Sequence, residues 1–261
     1  MRINCSAGLG EFEHEECLKC SLTGNQKCGY SYIVLKALYG KDNDRPDIHV
    51  TDLTGCLRKA FLSKTEKVAV APHELYTMML GTIVHKGLET SDEHVQTEIP
   101  FAFEGVVGQI DTLYADGTIS DIKTTRWLYP SKVPYGSHCL QVNIYAHYMR
   151  KLGKQVNRLQ IQYLDLSGPT KCRACKVTVK MVEGEFKCPK CNKIFSNAHL
   201  GAVIVDVPMM DEQDIEERIE ERRKELQAAL DFGMAPEKEP GFLCGYCAFE
   251  GKLCWPEIND D

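Results

Sequence analysis

The sequence lacks long apolar runs. No stretch approaches the roughly 20 residues that a membrane-spanning helix requires, so we expect no transmembrane segment. The first residues also lack the apolar segment of a secretory signal, which favours a cytoplasmic protein. Positive charge is not in excess, because 31 Lys and Arg stand against 37 Asp and Glu and give a net charge of -6. This balance excludes a uniformly basic nucleic-acid coat, although it allows a local basic groove.

Cysteine, in contrast, is abundant, with 13 among 261 residues. A chain of this length, enough for one or two domains, buries a core without covalent staples, and the cytosol keeps thiols reduced. We therefore interpret most of these cysteines as metal ligands rather than as disulfide partners. Cys139 stands apart from the others in an apolar helical pattern, and we expect it to fill the core.

The strongest cysteine cluster lies within residues 168–198, where two CxxC pairs are separated by 12 residues. Two such turns close a tetrahedral site of four thiolates, the usual ligand set of structural zinc. The residues between the pairs alternate between polar and β-prone types, as in a ribbon hairpin. We therefore predict a zinc ribbon whose ligands are Cys172, Cys175, Cys188 and Cys191.

Two further clusters carry weaker signals. A C-terminal cluster holds Cys244, Cys247 and Cys254, and the lone Cys56 can supply a fourth ligand from across the fold. Four thiolates hold either zinc or a [4Fe–4S] cluster, and the spacing does not choose between them. An N-terminal cluster combines one CxxC pair with two scattered cysteines, which predicts another zinc site in which His14 can replace one cysteine. Partly buried free thiols are the alternative. Its members are Cys5, Cys17, Cys20 and Cys28.

Apolar periodicity predicts a mixed α/β (α+β) protein. We predict a cysteine-bearing appendage over 1–45, ending in a polar linker at 41–46, and a main domain over 46–256 that the ribbon interrupts. Helices are predicted over 72–91, 137–152 and 211–231. Strands are predicted over 95–103, 106–114, 118–124, 158–165 and 201–207.

One predicted hairpin carries two carboxylates, Asp111 and Asp121, around the turn signal Asp116-Gly117. A two-residue turn directs the carboxylates to opposite faces, whereas a three-residue loop with a left-handed Gly117 pairs Asp111 with Asp121. Opposed carboxylates repel each other unless a cation lies between them, and oxygen ligands suit Mg²⁺ or Mn²⁺. In that register Lys123 shares the face, where it can orient or deprotonate a water. A surface hairpin with solvated charges is the alternative.

Two helices add polar residues at helical spacing. His85 shares a helix face with Gly81 and Glu89, and it can complete the metal shell. Gln141 and Tyr145 share a face of the next helix, and these residue types can bond phosphates and stack on bases. A helix surface with a half-buried tyrosine is the alternative. Further positive charge for a phosphate backbone comes from Arg58, Lys59, Lys123, Arg126 and Lys132.

The motifs GxxxHxxxE, GxxD, DIK and QxxxY occur in this order. Together with the split cysteine set, they resemble the RecB-like branch of the PD-(D/E)xK nucleases, and most closely the CRISPR-associated iron–sulfur exonuclease family. The resemblance covers about residues 48–256. It implies a restriction-endonuclease-like fold, in which helices flank a central mixed β-sheet, with the zinc ribbon as an insertion. It also implies that a [4Fe–4S] cluster staples the two ends of the domain through Cys56, Cys244, Cys247 and Cys254.

The same resemblance implies metal-dependent cleavage of DNA, exonucleolytic on single strands or overhangs, in preparing DNA for insertion into CRISPR arrays. Mg²⁺ or Mn²⁺ would be bound by His85, Asp111, Asp121 and the carbonyl of Ile122, with Lys123 as the catalytic lysine. The resemblance also implies that Gln141 and Tyr145 contact DNA. DNA and a CRISPR integrase or another DNA-processing protein are the expected partners, with no membrane. The extra cysteine segments leave two alternatives: a viral, plasmid or repair nuclease of the same superfamily, and a non-catalytic metal-ribbon protein that binds nucleic acid.

Overall fold

The structure is a computed structural model that describes residues 2–23, 28–39, 46–67, 69–241, 244–245, 247–251 and 253–254. The chain divides into two compact units, one of Met1–Ile83 with Glu220–Asp261 and one of Val84–Ile219. The predicted boundaries at 45 and 256 follow a different division and stay a prediction. The predicted linker at 41–46 lies, apart from Pro46, outside the described residues. No helix in the described ranges is long and apolar enough to cross a membrane.

Helices and strands are mixed along the chain, as predicted. The helices are α1 (His14–Leu22), α2 (Tyr32–Tyr39), α3 (Val50–Thr54), α4 (Leu57–Thr65), α5 (Pro72–Leu88), α6 (Gly136–Lys151) and α7 (Glu212–Phe232), with a short 3-10 turn at Pro130–Lys132. The strands are β1 (Arg2–Asn4), β2 (Glu11–Glu13), β3 (Ile48–His49), β4 (Val95–Phe103), β5 (Val106–Tyr114), β6 (Thr118–Thr125), β7 (Arg158–Asp165), β8 (Lys180–Val182), β9 (Glu185–Lys187), β10 (Ile194–Phe195) and β11 (Ala202–Val207).

The predicted elements are confirmed closely. Strands β4, β5 and β7 begin and end at the predicted residues, and α6 and α7 differ from prediction by one residue at each end. Helix α5 ends at Leu88, earlier than expected. The reason is that Thr97 of β4 hydrogen-bonds with the backbone of Thr90 and the hydroxyl of Ser91, which holds these residues beside the strand rather than in the helix.

The unit of residues 84–219 is built on a mixed sheet, which confirms the predicted fold class. Strand pairing runs β11–β7–β6–β5, and β4 also pairs with β5. The β6–β7 pair is parallel and the β4–β5, β5–β6 and β7–β11 pairs are antiparallel. A parallel pair needs a crossover, and α6 provides it and packs on β6 and β7. The strand centres are buried on both faces, with Ile110 and Ile122 on one and Leu113 and Ile119 on the other.

The register of β5 and β6 is that of the three-residue alternative. Thr112 pairs with Ser120 and Leu113 with Ile119, so the positions of Asp111 and Asp121 oppose each other. Gly117 has φ +83°, and a Cβ there would lie 2.9 Å from Nδ2 of Asn157. Glycine therefore suits the turn both for its left-handed backbone and for the closeness of its neighbour.

The ribbon segment forms its own small sheet, in the order β10–β9–β8. It is inserted between β7 and β11, as the sequence predicts. The other unit contains helices and the short β1–β2 hairpin, neither of which the sequence predicted for its first 40 residues. Its core cluster is formed by Ile3, Leu35, Leu38, Tyr39 and Leu75.

Candidate active site

Asp111 of β5 is held from two sides. Its Oδ2 accepts a hydrogen bond from the backbone N–H of Ile122, at 2.6 Å on the neighbouring strand. Its Oδ1 lies 3.3 Å from Nδ1 of His85, which stands in the last turn of α5. The strand register and the helix end therefore converge on this one carboxylate.

Glu98 is a third member of this group, and the sequence reasoning missed it. Its Oε1 lies 3.5 Å from Nδ1 of His85, and its Oε2 accepts a hydrogen bond from the side-chain amide of Gln109. Glu98 has φ +52°, an uncommon backbone conformation for a residue other than glycine. Such strain of about 1–3 kcal/mol persists where surrounding contacts enforce it, and functional sites are common places for it.

The sequence signal for Glu98 is the dipeptide Glu104-Gly105, which forms the turn between β4 and β5. Glu104 and Gly105 both have positive φ, as the two-residue turns of tight hairpins require. Strand pairs on either side, Thr97 with Thr112 and Ile99 with Ile110, then place Glu98 opposite Asp111. A two-residue turn at Glu104-Gly105 therefore predicts Glu98 opposite Asp111, as the three-residue turn predicts Asp121 opposite it.

His85, Glu98 and Asp111 form a cluster suited to a metal ion, because one ligand atom from each lies within 4.8 Å of the others. The hydrogen bond to Asp111 raises the pKa of His85 to about 8, and the nearby carboxylate charges add to it against the opposing effect of burial. The raised pKa of His85 thus reflects a local concentration of negative charge, which a divalent cation would neutralise.

Asp121 supplies the test of whether a cation fits. Its side chain is only 1% exposed. Burial raises its pKa to about 6, and the charge of Asp111 adds to this, whereas the ammonium of Lys123 opposes it. Lys123 Nζ lies 2.9 Å from Oδ2 as an ion pair, but neither carboxylate oxygen accepts a well-formed hydrogen bond from the described residues. A buried carboxylate without such partners is costly, so a hard divalent cation matches this donor set.

Lys123 is fixed by a chain of polar groups from α6. Its Nζ donates to Oε1 of Gln141 at 2.9 Å, and Nε2 of Gln141 donates to the hydroxyl of Tyr145 at 2.7 Å. Gln141 and Tyr145 are both buried. Their predicted contact with DNA stays a prediction. In the structure Gln141 bonds Lys123, and Tyr145 bonds Gln141. Helical spacing indicated that the two residues share a face, but it did not indicate what that face meets.

The other residues predicted to contact DNA or metal lie in different parts of the fold. Ile122 contributes its N–H to Asp111, and its carbonyl as a metal ligand stays a prediction. Arg58 and Lys59 belong to the other unit. Arg58 donates from Nη1 to the carbonyl of Pro236 at 2.9 Å, which gives it a structural contact, whereas Lys59 is exposed.

The four ribbon cysteines come together as one cluster. Their sulfur atoms all lie within 4.8 Å of one another, and Cys172 and Cys191 are 3.8 Å apart. Metal–sulfur bonds of about 2.3 Å in a tetrahedron set the sulfurs about 3.8 Å apart. Burial raises the pKa of the Cys188 thiol, but backbone N–H groups of Cys191 and Lys190 outweigh it and lower the pKa overall. Hydrogen bonds with Cys191 and Cys188 raise the pKa of Cys175. The cluster is Cys172, Cys175, Cys188 and Cys191.

The N-terminal cysteines approach one another less closely. Burial raises the pKa of Cys17, the hydrogen bond with the Tyr39 hydroxyl opposes this, and the charges of Cys28, Cys5 and Cys20 add to the increase. Cys17 Sγ also lies 3.1 Å from the hydroxyl of Tyr39. In the described part of the chain, however, these thiols do not form a group with all sulfurs within 4.8 Å. Metal binding by this set stays a prediction. Cys139, which we expect to fill the core, is half-buried instead.

The loop that carries Cys56 is tied to the segment that leads into the C-terminal cysteines. Arg222 of α7 donates to the carbonyls of Leu53, at 2.6 Å, and Gly55. Glu239 accepts a hydrogen bond from the N–H of Leu57 at 3.1 Å. Cys56, Cys244, Cys247 and Cys254 all belong to this unit. Among the described cysteines, the close four-sulfur grouping occurs in the ribbon and not in this set.

Comparison with known proteins gives one family. The sequence profile of the PD-(D/E)XK nuclease superfamily matches residues 89–252, well over half of the chain. A solved structure described as SSO0001 is 18% identical, with a TM-score of 0.45 over 90% of this chain and 93% of that one. A phage-related exonuclease from Haemophilus somnus 129PT is 13% identical, with a TM-score of 0.29 over 77% and 79%. No curated protein matches this chain.

The position of Glu98 leads to a prediction about metal binding. We expect Glu98→Gln to weaken Mn²⁺ binding at least about tenfold, because even groups that only support a metal ligand cost this much when removed. Isothermal titration of Mn²⁺ measures the effect. Glu93→Gln is the matched control, since the Glu93 side chain is 86% exposed in the same unit. An unchanged dissociation constant in Glu98→Gln would contradict a role for Glu98 in the site.

Proposed function

The chain belongs to the PD-(D/E)XK nuclease superfamily, and on this basis we propose that it is a nuclease that hydrolyses phosphodiester bonds. The proposed substrate is DNA, the proposed cofactor is Mg²⁺ or Mn²⁺, and the proposed mode is exonucleolytic attack on single strands or overhangs. The main support is the convergence of His85, Glu98 and Asp111 on one point.

The proposed metal ligands are these three residues together with Asp121. The carbonyl of Ile122 is proposed as a further ligand, in line with the sequence resemblance. When bound, a divalent cation supplies Lewis acidity at the scissile phosphate. The protein's own part is to arrange the carboxylates before substrate arrives, and the hydrogen bond from Ile122 N–H to Asp111 does this by fixing one carboxylate to the backbone of the next strand.

Lys123 is the proposed catalytic lysine. Its ammonium donates to Gln141 Oε1 and pairs with Asp121, so its position is set from two directions. From there it can hydrogen-bond an attacking water or stabilise the negative charge that develops on the phosphate. Gln141 and Tyr145 are accordingly proposed as positioning residues, which act through Lys123.

A biological role in preparing DNA for insertion into CRISPR arrays, with a CRISPR integrase as a partner, is proposed from the sequence. Its support is the order of the motifs and the split cysteine set, both of which resemble the CRISPR-associated iron–sulfur exonuclease family. The exonucleolytic mode has the same support. A chain that trims DNA ends needs a nuclease site that accepts a free terminus.

Cleavage itself is tested with end-labelled DNA. We expect the wild-type protein with Mg²⁺ or Mn²⁺ to release short products from one end of 5′- or 3′-labelled single strands. Asp111→Asn should lower the rate about a thousandfold or more, because loss of a metal ligand removes about 4 kcal/mol of transition-state stabilisation. Glu93→Gln serves again as the control and should cleave normally.

Three results would count against this proposal. Internal fragments without end products would contradict the exonucleolytic mode. Full activity of Asp111→Asn, with circular dichroism that shows a native fold, would contradict the assigned site. A wild-type protein without metal-dependent cleavage of any DNA would favour the non-catalytic alternative.

The positioning role of Gln141 is tested by Gln141→Leu. We expect kcat to fall about 10- to 100-fold, because Lys123 loses the acceptor that orients it, an effect within the usual range for a misplaced proton-transfer group. The dissociation constant for single-stranded DNA, measured in EDTA, should be unchanged because Gln141 is buried. A weaker DNA affinity with an unchanged kcat would instead support the direct DNA contact that the sequence predicts.

Two different metal centres are proposed for the cysteines. The ribbon set would hold Zn²⁺, in keeping with its tetrahedral sulfur spacing. The split set of Cys56, Cys244, Cys247 and Cys254 would hold a [4Fe–4S] cluster, which the sequence resemblance implies. The donors fit in chemistry, since they are four thiols in one unit, and the N–H of Gly241 donates to Cys244 Sγ at 3.3 Å. The N-terminal set is proposed as a second zinc site.

The two centres are separated by matched substitutions. Protein purified without oxygen should be brown, and Cys247→Ser should lose the colour and the iron while it keeps the ribbon zinc. Cys188→Ser should do the reverse. Visible absorption and elemental analysis of both variants measure this. A colourless protein that contains only zinc would contradict the iron–sulfur assignment.

A further inference from the structure

The ribbon insertion is strongly basic, although the chain as a whole is acidic. Residues 168–198 contain seven Lys or Arg and two Glu, against a net charge of -6 for the full sequence. Four thiolates and one divalent ion would leave the module with a positive charge. A concentration of like charge of this kind attracts a polyanion.

Six of these seven cations are exposed. Lys187 forms an ion pair with Glu185 at 2.9 Å. For the other six, no ion pair with a described carboxylate is found, and Lys193 lies over the ring of Phe195 instead. Their charge is therefore available to solvent. They are Lys171, Arg173, Lys176, Lys180, Lys190 and Lys193.

An aromatic loop lies next to the ribbon in the same unit. It runs over residues 126–132, directly after β6, the strand that carries Asp121 and Lys123. The side chain of Trp127 is 74% exposed and that of Tyr129 is 49% exposed. Lys132 Nζ lies 5.2 Å from the centre of the Tyr129 ring. Large exposed aromatic side chains beside cations are what an unpaired nucleic-acid strand stacks on.

The loop and the base of the ribbon are joined through Asp165, at the end of β7. Asp165 Oδ2 accepts a hydrogen bond from the N–H of Leu128 at 2.9 Å and lies 3.2 Å from Nε2 of His199. On the other side of the joint, the N–H of Ser131 donates to Oδ1 of Asn197 at 3.0 Å. Asp165 and His199 are both buried. The aromatic loop and the ribbon are thus held in one arrangement.

We propose that the basic ribbon and the aromatic loop together form a binding surface for single-stranded DNA. The ribbon cations would contact phosphates while Trp127 and Tyr129 stack on bases, and the strand would continue towards the carboxylates of β5 and β6. The surface favours single strands because only unpaired bases expose their faces for stacking. This inference rests on the proposed nuclease function and gives the substrate a path to the site.

Binding is tested apart from cleavage, in EDTA and with the Asp111→Asn variant. The probe is an oligothymidylate, and Trp255→Phe leaves Trp127 as the single tryptophan of the two in the chain. We expect the probe to quench Trp127 fluorescence. In a fluorescently labelled form of the assay, Trp127→Ala should weaken binding about 5- to 100-fold, the effect of one lost stacking contact.

The ribbon cations are tested by Arg173→Gln, Lys176→Gln and Lys180→Gln combined. Loss of three phosphate contacts should reduce the slope of log affinity against log salt by about 2, at about 0.7 for each contact with a single strand. The matched control combines Lys151→Gln, Lys154→Gln and Arg218→Gln. It removes the same charge from exposed positions of the same unit outside the ribbon and should leave the slope almost unchanged.

The outcomes separate this surface from the nuclease proposal. Equal losses in the ribbon variant and its control, or no quenching of Trp127, would overturn the surface even if the wild-type protein cleaves DNA. Duplex DNA that binds more tightly than the single strand, with unchanged Trp127 fluorescence, would overturn it as well. The expected losses in a protein that does not cleave DNA would support the surface while the nuclease proposal failed.

Discussion

The candidate site depends on the register between β5 and β6. The turn at Gly117 sets Asp111 opposite Asp121, and a shift by one residue would send the carboxylates to opposite faces of the sheet. Asn157, the residue before β7, holds this turn: its side chain donates a hydrogen bond to the carbonyl of Asp116 at 2.7 Å. The arrangement of the two carboxylates is therefore fixed at the far end of the strands, away from where the chemistry is proposed.

This register concentrates negative charge in a buried part of the protein. Three carboxylates, those of Glu98, Asp111 and Asp121, lie near one another, and the protein offsets them with one imidazole and one ammonium. Burial and neighbouring charge raise the pKa of Asp121 to about 6. A protein that keeps such a group accepts a cost in stability, and cation binding to the folded state would offset it.

Much of the fold and part of the site followed from the sequence, because strand alternation and helical spacing are local signals. The β4, β5 and β7 boundaries were predicted correctly for this reason. Glu98 was missed because its role depends on a second hairpin and on a positive φ that periodicity does not encode. The contact between Gln141 and Lys123 joins residues 18 positions apart on different elements, and its identity depends on how α6 packs on the sheet.

The ribbon leaves and rejoins the sheet at a single place. β7 and β11 pair directly, with Leu164 opposite Ala202, and the N–H of Asp165 donates to the carbonyl of Gly201 at 2.8 Å. The two ends of the insertion are thus adjacent, as in an ordinary hairpin loop. Such a junction lets a lineage gain, lose or exchange the whole ribbon without altering one pairing of the sheet beneath it. The sheet that carries the candidate site and the inserted ribbon can therefore evolve at different rates.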